Sequence, residues 1–132
     1  MMRLAYWFFI VAILAGLAGM GLGIQMGIAH DFTLMPVHAH VNLLGWASLF
    51  LYGLYYRVEP SAEGTALAVI HFALAVSGLV LMTGGLTLML QGNEALMPVT
   101  IAGALCAISA MAVFLIVVLR RGFAPRRAAS IG

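Results

Sequence analysis

Charge is what this sequence has least of. Only 8% of its 132 residues are Asp, Glu, Lys or Arg, while 64% are hydrophobic, and the mean hydropathy is +1.13. A water-soluble domain carries roughly a quarter of its residues as charged types, so the deficit excludes a soluble enzyme and a nucleic-acid binder. Lysine is absent, and the single cysteine, Cys106, lies in an apolar run, which excludes an intrachain disulfide and a cysteine metal cluster. No internal repeat is visible. What remains is the composition of an integral membrane protein, with room for one domain, 1–132, of a few spans.

The charged residues divide the chain into uncharged stretches, each long enough to cross a hydrocarbon layer as a helix of about 20 residues. The expectation is an all-α membrane protein with four transmembrane helices, at about 4–28, 36–56, 65–90 and 96–119. The first stretch is longer than a typical signal-peptide core and has no clean small-x-small cleavage site, so it is read as a span. All six arginines, Arg3, Arg57, Arg120, Arg121, Arg126 and Arg127, fall on one side of this map. By the positive-inside rule both termini are cytoplasmic, in a multi-pass inner-membrane protein of bacterial type. The basic cluster after the fourth span reads as a topology anchor beside anionic lipid rather than a partner site. Tyr6, Trp7, Tyr55 and Tyr56 are expected at the same interface. The opposite face carries Asp31 and Glu94.

Within the four stretches there is no Asp, Glu, Lys or Arg, which leaves nothing from which to build a carboxylate proton relay or a charged ion path. Histidine is the chemistry that remains. His38 and His40 stand at the outer start of the second span, His30 at the outer end of the first, and His71 in the inner half of the third. A lone membrane histidine such as His71 can serve as a helix-to-helix hydrogen-bonding group. A His-x-His pair entering an uncharged helix points to a shared purpose such as metal ligation, because each imidazole must find a partner or bear its desolvation.

Residues two apart on an α-helix diverge by about 200°, so His38 and His40 cannot bind one ion and must serve two clefts, or only one is a ligand. The second ligand then comes from another helix or another copy of the chain. His71 is set apart by depth: at 1.5 Å per residue His40 lies ~24 Å from the inner end of its span and His71 only ~9 Å. His71 and His30 are therefore secondary metal candidates. Gly19-x-x-x-Gly23-x-x-x-Gly27 forms a small-residue face that permits close helix packing or leaves room for a flat ligand. Gly45 and Gly53 could let a ring approach the second span, and Trp46 lies about 240° around that helix from His40. The nine methionines read as adaptable packing rather than copper ligands.

The stretch His38-Ala39-His40-Val41-Asn42-Leu43-Leu44-Gly45-Trp46, with Tyr52-Gly53-Leu54-Tyr55-Tyr56-Arg57 and Val69-Ile70-His71-Phe72, resembles the second and third helices of subunit I of haem-copper oxidases. Within that superfamily it is closest to the C-type oxidases and nitric oxide reductases, and to small four-span subunit I-like proteins. The family's large subunit arranges twelve helices as three arcs of four, and this chain resembles one arc. The resemblance implies haem b held by bis-histidine ligation between protomers, His38 from one chain and His40 from the next, in a homotrimer or a dimer; from their spacing, Trp46, Gly45 and Gly23 are expected to line the cofactor.

The implied activity is electron transfer, with a quinol or a periplasmic protein as partner. The copper-site histidines and outer arginines of the oxidases are missing, so copper-dependent oxygen reduction is not implied and any enzymatic role is at most oxidoreductase-like. Propionates would need His30, Gln91, Asn93 or Thr33. Two further readings stay open: a haem-based sensor or handler of nitric oxide or oxygen, and a haem-free helical assembly module or small metal-binding protein using His30, Asp31 and His38.

Overall fold

The structure, a computed structural model, describes residues 3–122. It is helical throughout: α1 Leu4–Ala29, α2 Met35–His40, a π-helical segment Val41–Ser48, α3 Leu49–Val58, α4 Pro60–Glu63, α5 Ala66–Leu90, a 3₁₀ turn Glu94–Leu96, and α6 Met97–Gly122. Arg126 and Arg127 lie outside the described residues. α1, α5 and the stretch ending in α6 are each long and apolar enough to cross a membrane. Large apolar side chains such as Leu14, Ile24, Val80, Leu105 and Ile108 face outward along them, as they do in a protein whose solvent is lipid.

The elements end where the sequence supplies stop signals. Asp31 Oδ1 accepts from the Thr33 amide at 3.0 Å and the Thr33 hydroxyl at 2.6 Å, turning the chain before Pro36 occupies the first turn of α2. Gly92, at φ +101°, closes α5: its amide bonds to the Met89 carbonyl and the Asn93 amide reaches back to Leu88, the paired arrangement that satisfies terminal carbonyls. Thr65 caps α5 by accepting from the Ala68 amide. The start of α1 is capped from a distance. Glu63, on α4, accepts from the Ala5 amide at 2.8 Å and pairs with Arg3 at 2.7 Å.

α2, the π segment and α3 follow one another without leaving helical backbone angles, since the junction residues His40, Val41, Ser48 and Leu49 are all right-handed. The wider π turn closes hydrogen bonds five residues back, and the Ser48 hydroxyl adds a 2.8 Å bond to the Leu43 carbonyl. The 100° per residue reckoning from His40 to Trp46 therefore does not hold across this stretch.

Two antiparallel seams organise the packing. Along α1, Gly23 lies under His38, Gly19 under Asn42 and Gly16 under Trp46; a Cβ at these glycines would come within 2.9, 2.6 and 3.0 Å of those side chains. Between α5 and α6, Gly78 faces the Ala107 backbone, Gly103 the Met82 backbone and Gly85 Thr100. At the end holding Arg3 and Arg121, Phe8, Tyr52, Tyr56, His71 and Phe114 join α1, α3, α5 and α6 in one aromatic cluster.

Candidate functional site

His38 stands in the seam between α1 and α2. Its Nδ1 is 2.9 Å from the Gly19 carbonyl, and its ring edge rests on Gly23. A carbonyl only accepts, so in the neutral ring Nδ1 carries the proton and Nε2 keeps its lone pair. His40 is held the same way by its own helix, with Nδ1 2.7 Å from the Pro36 carbonyl. Both rings are half-buried, and among the described residues neither Nε2 has a hydrogen-bond partner. Asn42 braces the arrangement, donating from Nδ2 to the His38 carbonyl at 2.8 Å. His38 thus faces α1, while the named partner of His40 lies on its own helix. The two rings do not share a ligand position within one chain.

The remaining candidates divide clearly. Trp46 is half exposed and lies over Gly16, on the side of α1 where His38 also sits. The room beside Gly45 is occupied by Ala15 and Leu79, that beside Gly53 by Phe9 and the Ala5 carbonyl, and that beside Gly23 by His38 itself; Gly27 faces open space. The small-residue face of α1 therefore seats side chains of this same chain. His30 ends α1 in a left-handed conformation, φ 52°, and is exposed. Among the described residues no three His, Cys, Asp or Glu side chains come together as a metal group, so His30, Asp31 and His38 do not form one. The Thr33 hydroxyl is committed to Asp31, and these bonds hold the exposed Asp31 carboxyl below its ordinary value of 3.8.

His71 belongs to a different place. It is fully buried, its Nδ1 is 3.0 Å from the Tyr56 hydroxyl, and its Nε2 is buried without a partner. Phe114 stacks on it with centroids 5.1 Å apart and Tyr52 meets it edge to face at 4.4 Å. Its neighbour Phe8 and the seat of His38, Gly23, are separated on α1 by roughly 22 Å at the helical rise, so His71 and His38 occupy different depths of the bundle.

Tyr56 is also fully buried, so its side chain faces the bundle interior rather than the surroundings. Its partner is a histidine fifteen positions away, a pairing that the run Tyr55-Tyr56-Arg57 does not announce. Tyr6 and Trp7 are exposed.

Comparison with protein-family models, with curated proteins and with solved structures finds no match.

Proposed function

We propose that this chain is a membrane cytochrome that holds haem b between copies of itself through His38 and His40. The carrying observation is that both imidazoles give their Nδ1–H to a backbone carbonyl, Gly19 for His38 and Pro36 for His40. Metal-ligating histidines are oriented in this way by the bond that their other nitrogen makes. It leaves the Nε2 lone pair of each ring without a hydrogen-bond partner among the described residues, on two rings that diverge by about 200° around α2. One chain would offer one imidazole to each of two clefts, so the second imidazole would come from a neighbouring copy, and a homotrimer or a dimer would complete the set. The filled spaces beside Gly23 and Gly45 agree with a cofactor outside the single chain's packing, with Trp46 and Leu43 exposed beside the pair.

When bound, haem b supplies a one-electron iron couple, and saturation of the iron by two imidazoles suits electron transfer over gas binding. His38 and His40 orient the group, and their carbonyl partners keep both rings in one tautomer. A quinol and a periplasmic acceptor are the proposed partners. In this reading Met35–Val58 is a fourth crossing, both termini are cytoplasmic, and the chain resembles one arc of a haem-copper oxidase large subunit.

The test is an absorption spectrum of the purified protein, oxidised and reduced, with its pyridine haemochrome and haem-to-chain ratio. A six-coordinate b-type spectrum near one haem per chain is expected. A Soret shift on adding carbon monoxide to the reduced protein favours the gas-handling reading. Absence of haemochrome favours a second reading, a haem-free packing module, whose support is the seating of His38, Asn42 and Trp46 on three glycines of α1.

A further inference from the structure

His38 and His40 are anchored in different ways. The Pro36 carbonyl that receives the His40 Nδ1–H at 2.7 Å lies one turn back on the same helix, so that ring travels with α2 whatever α2 packs against. The Gly19 carbonyl that receives the His38 Nδ1–H at 2.9 Å belongs to α1. The orientation of His40 is therefore a local property, and that of His38 is a tertiary one, kept only while two helices stay in register.

Asn42 closes this contact between α1 and α2. Its Nδ2 donates to the His38 carbonyl at 2.8 Å, which fixes the amide, and the same nitrogen stands 3.5 Å from His38 Nδ1, so the amide lies against the ring. The first three atoms that a Cβ on Gly19 would meet, at 2.6, 2.7 and 2.9 Å, are Nδ2, Oδ1 and Cγ of Asn42. The amide thus fills the space that a glycine leaves on α1. Gly23 lies under the ring itself, where a Cβ would come within 2.9 Å of His38 Cε1. To leave the Gly19 carbonyl the imidazole must displace an amide that is itself bonded, and lose its own partner in an apolar seam.

We infer, resting on the haem reading above, that Asn42 is the positioning residue that locks the His38 imidazole, and that His38 is the ligand whose hold depends on how α1 packs. Asn42 acts through His38. A contact that fixes a ligating histidine and the bond of its other nitrogen sets both the orientation and the basicity of the ring. His40 needs no such help, because its carbonyl partner is built into α2. Without the Asn42 amide the His38 ring is free to turn while His40 stays in place, which makes one axial position labile and leaves the other firm.

The experiment compares the purified full chain with Asn42→Ala, which removes the amide, and Gly19→Ala, which displaces it with the amide still present. Gly78→Ala crowds the Ala107 backbone at 2.8 Å in the other seam and controls for packing strain. In the haem-free chain, nitrogen NMR of the histidine rings should show the Nδ1–H tautomer for both His38 and His40. Asn42→Ala and Gly19→Ala should each give a tautomer mixture at His38 and leave His40 unchanged. Titrated with haem b, these two variants should lose roughly 10–100-fold in affinity. After reduction, carbon monoxide should shift their Soret band, while wild type and Gly78→Ala show no shift. An unchanged His38 ring in Asn42→Ala, an equal change at His40, or the same change in Gly78→Ala would overturn the inference. So would a carbon monoxide shift already present in wild type. A wild type that takes up no haem refutes the haem reading instead, and the ring spectra then still decide whether Asn42 locks His38. Far-UV circular dichroism on every variant separates loss of the lock from loss of fold.

Discussion

Tyr56→Phe removes the one hydrogen bond of a fully buried imidazole, and its cost follows from the surroundings of His71. The bond from Tyr56 to His71 Nδ1 is 3.0 Å long, and Nε2 already lacks a partner. After the substitution both ring nitrogens lie unpartnered among Phe8, Tyr52 and Phe114. An ordinary bond contributes about 0.5–1.5 kcal/mol, but orphaning a buried polar group costs about 1–3 kcal/mol, so Tyr56→Phe should destabilise by about 2 kcal/mol. His71→Phe orphans the tyrosine hydroxyl instead and should cost a similar amount. Tyr56→Phe/His71→Phe together should be nearly neutral, since aromatic rings of like shape replace both partners. Reversible unfolding in mixed detergent and SDS, run as a double-mutant cycle, should therefore read a favourable coupling of about 4 kcal/mol, the sum of the two single costs when the double variant is neutral. Additive single costs, or a neutral Tyr56→Phe, would refute the argument.

Haem content supplies the next expectations: His40→Ala and His38→Ala should each abolish it, while His71→Phe should leave it unchanged, and haem kept in both alanine variants or lost in the phenylalanine variant tells against the assignment. Gly19→Val and Gly23→Leu drive a side chain into Asn42 and His38, and thermal unfolding should register a loss of about 1–3 kcal/mol from overpacking. Gly103→Leu presses on the Met82 backbone and should cost at least as much, whereas Gly27→Leu, facing open space, should not. Glu63→Ala removes the distant cap of α1 and should cost about 0.5–2 kcal/mol in the same assay.

Asp31 sets a pH expectation. Its folded carboxyl is depressed by the Thr33 bonds, so that contribution is present above the ordinary value of 3.8 and is lost as pH falls through the folded value. Carboxyl titration by NMR should move back towards 3.8 in Thr33→Val, and an unmoved titration would show that the Thr33 bonds do not cause the shift.

Much of this architecture is written in local composition. The runs Leu4–Ala29 and Ala66–Leu90 contain no charge, and such runs in lipid have little choice but to satisfy their backbone as helices. Pro36, Thr65 and Gly92 announce helix ends through rules that need only a few neighbouring residues. The π segment Val41–Ser48 is different. No residue in Val-Asn-Leu-Leu-Gly-Trp-Ala-Ser demands it, and its effect, Trp46 seated on Gly16, depends on α1 lying alongside. The glycine face of α1 could be recognised as a place for close approach, but its occupants are His38 and Asn42 from a helix that sequence spacing alone does not pair with it.

The sequence by itself determined the solvent, the helical class and the inventory of chemistry: four histidines and no carboxylate, lysine or arginine inside the apolar runs. Tertiary structure decided what each histidine does. His38 and His71 sit in similar apolar surroundings along the chain, yet one rests on a glycine seam with its Nδ1 on the Gly19 carbonyl and the other is enclosed by rings with its Nε2 orphaned. That difference arises because the partners of a side chain in a helical bundle come from other helices, tens of residues away, and only packing selects which faces meet.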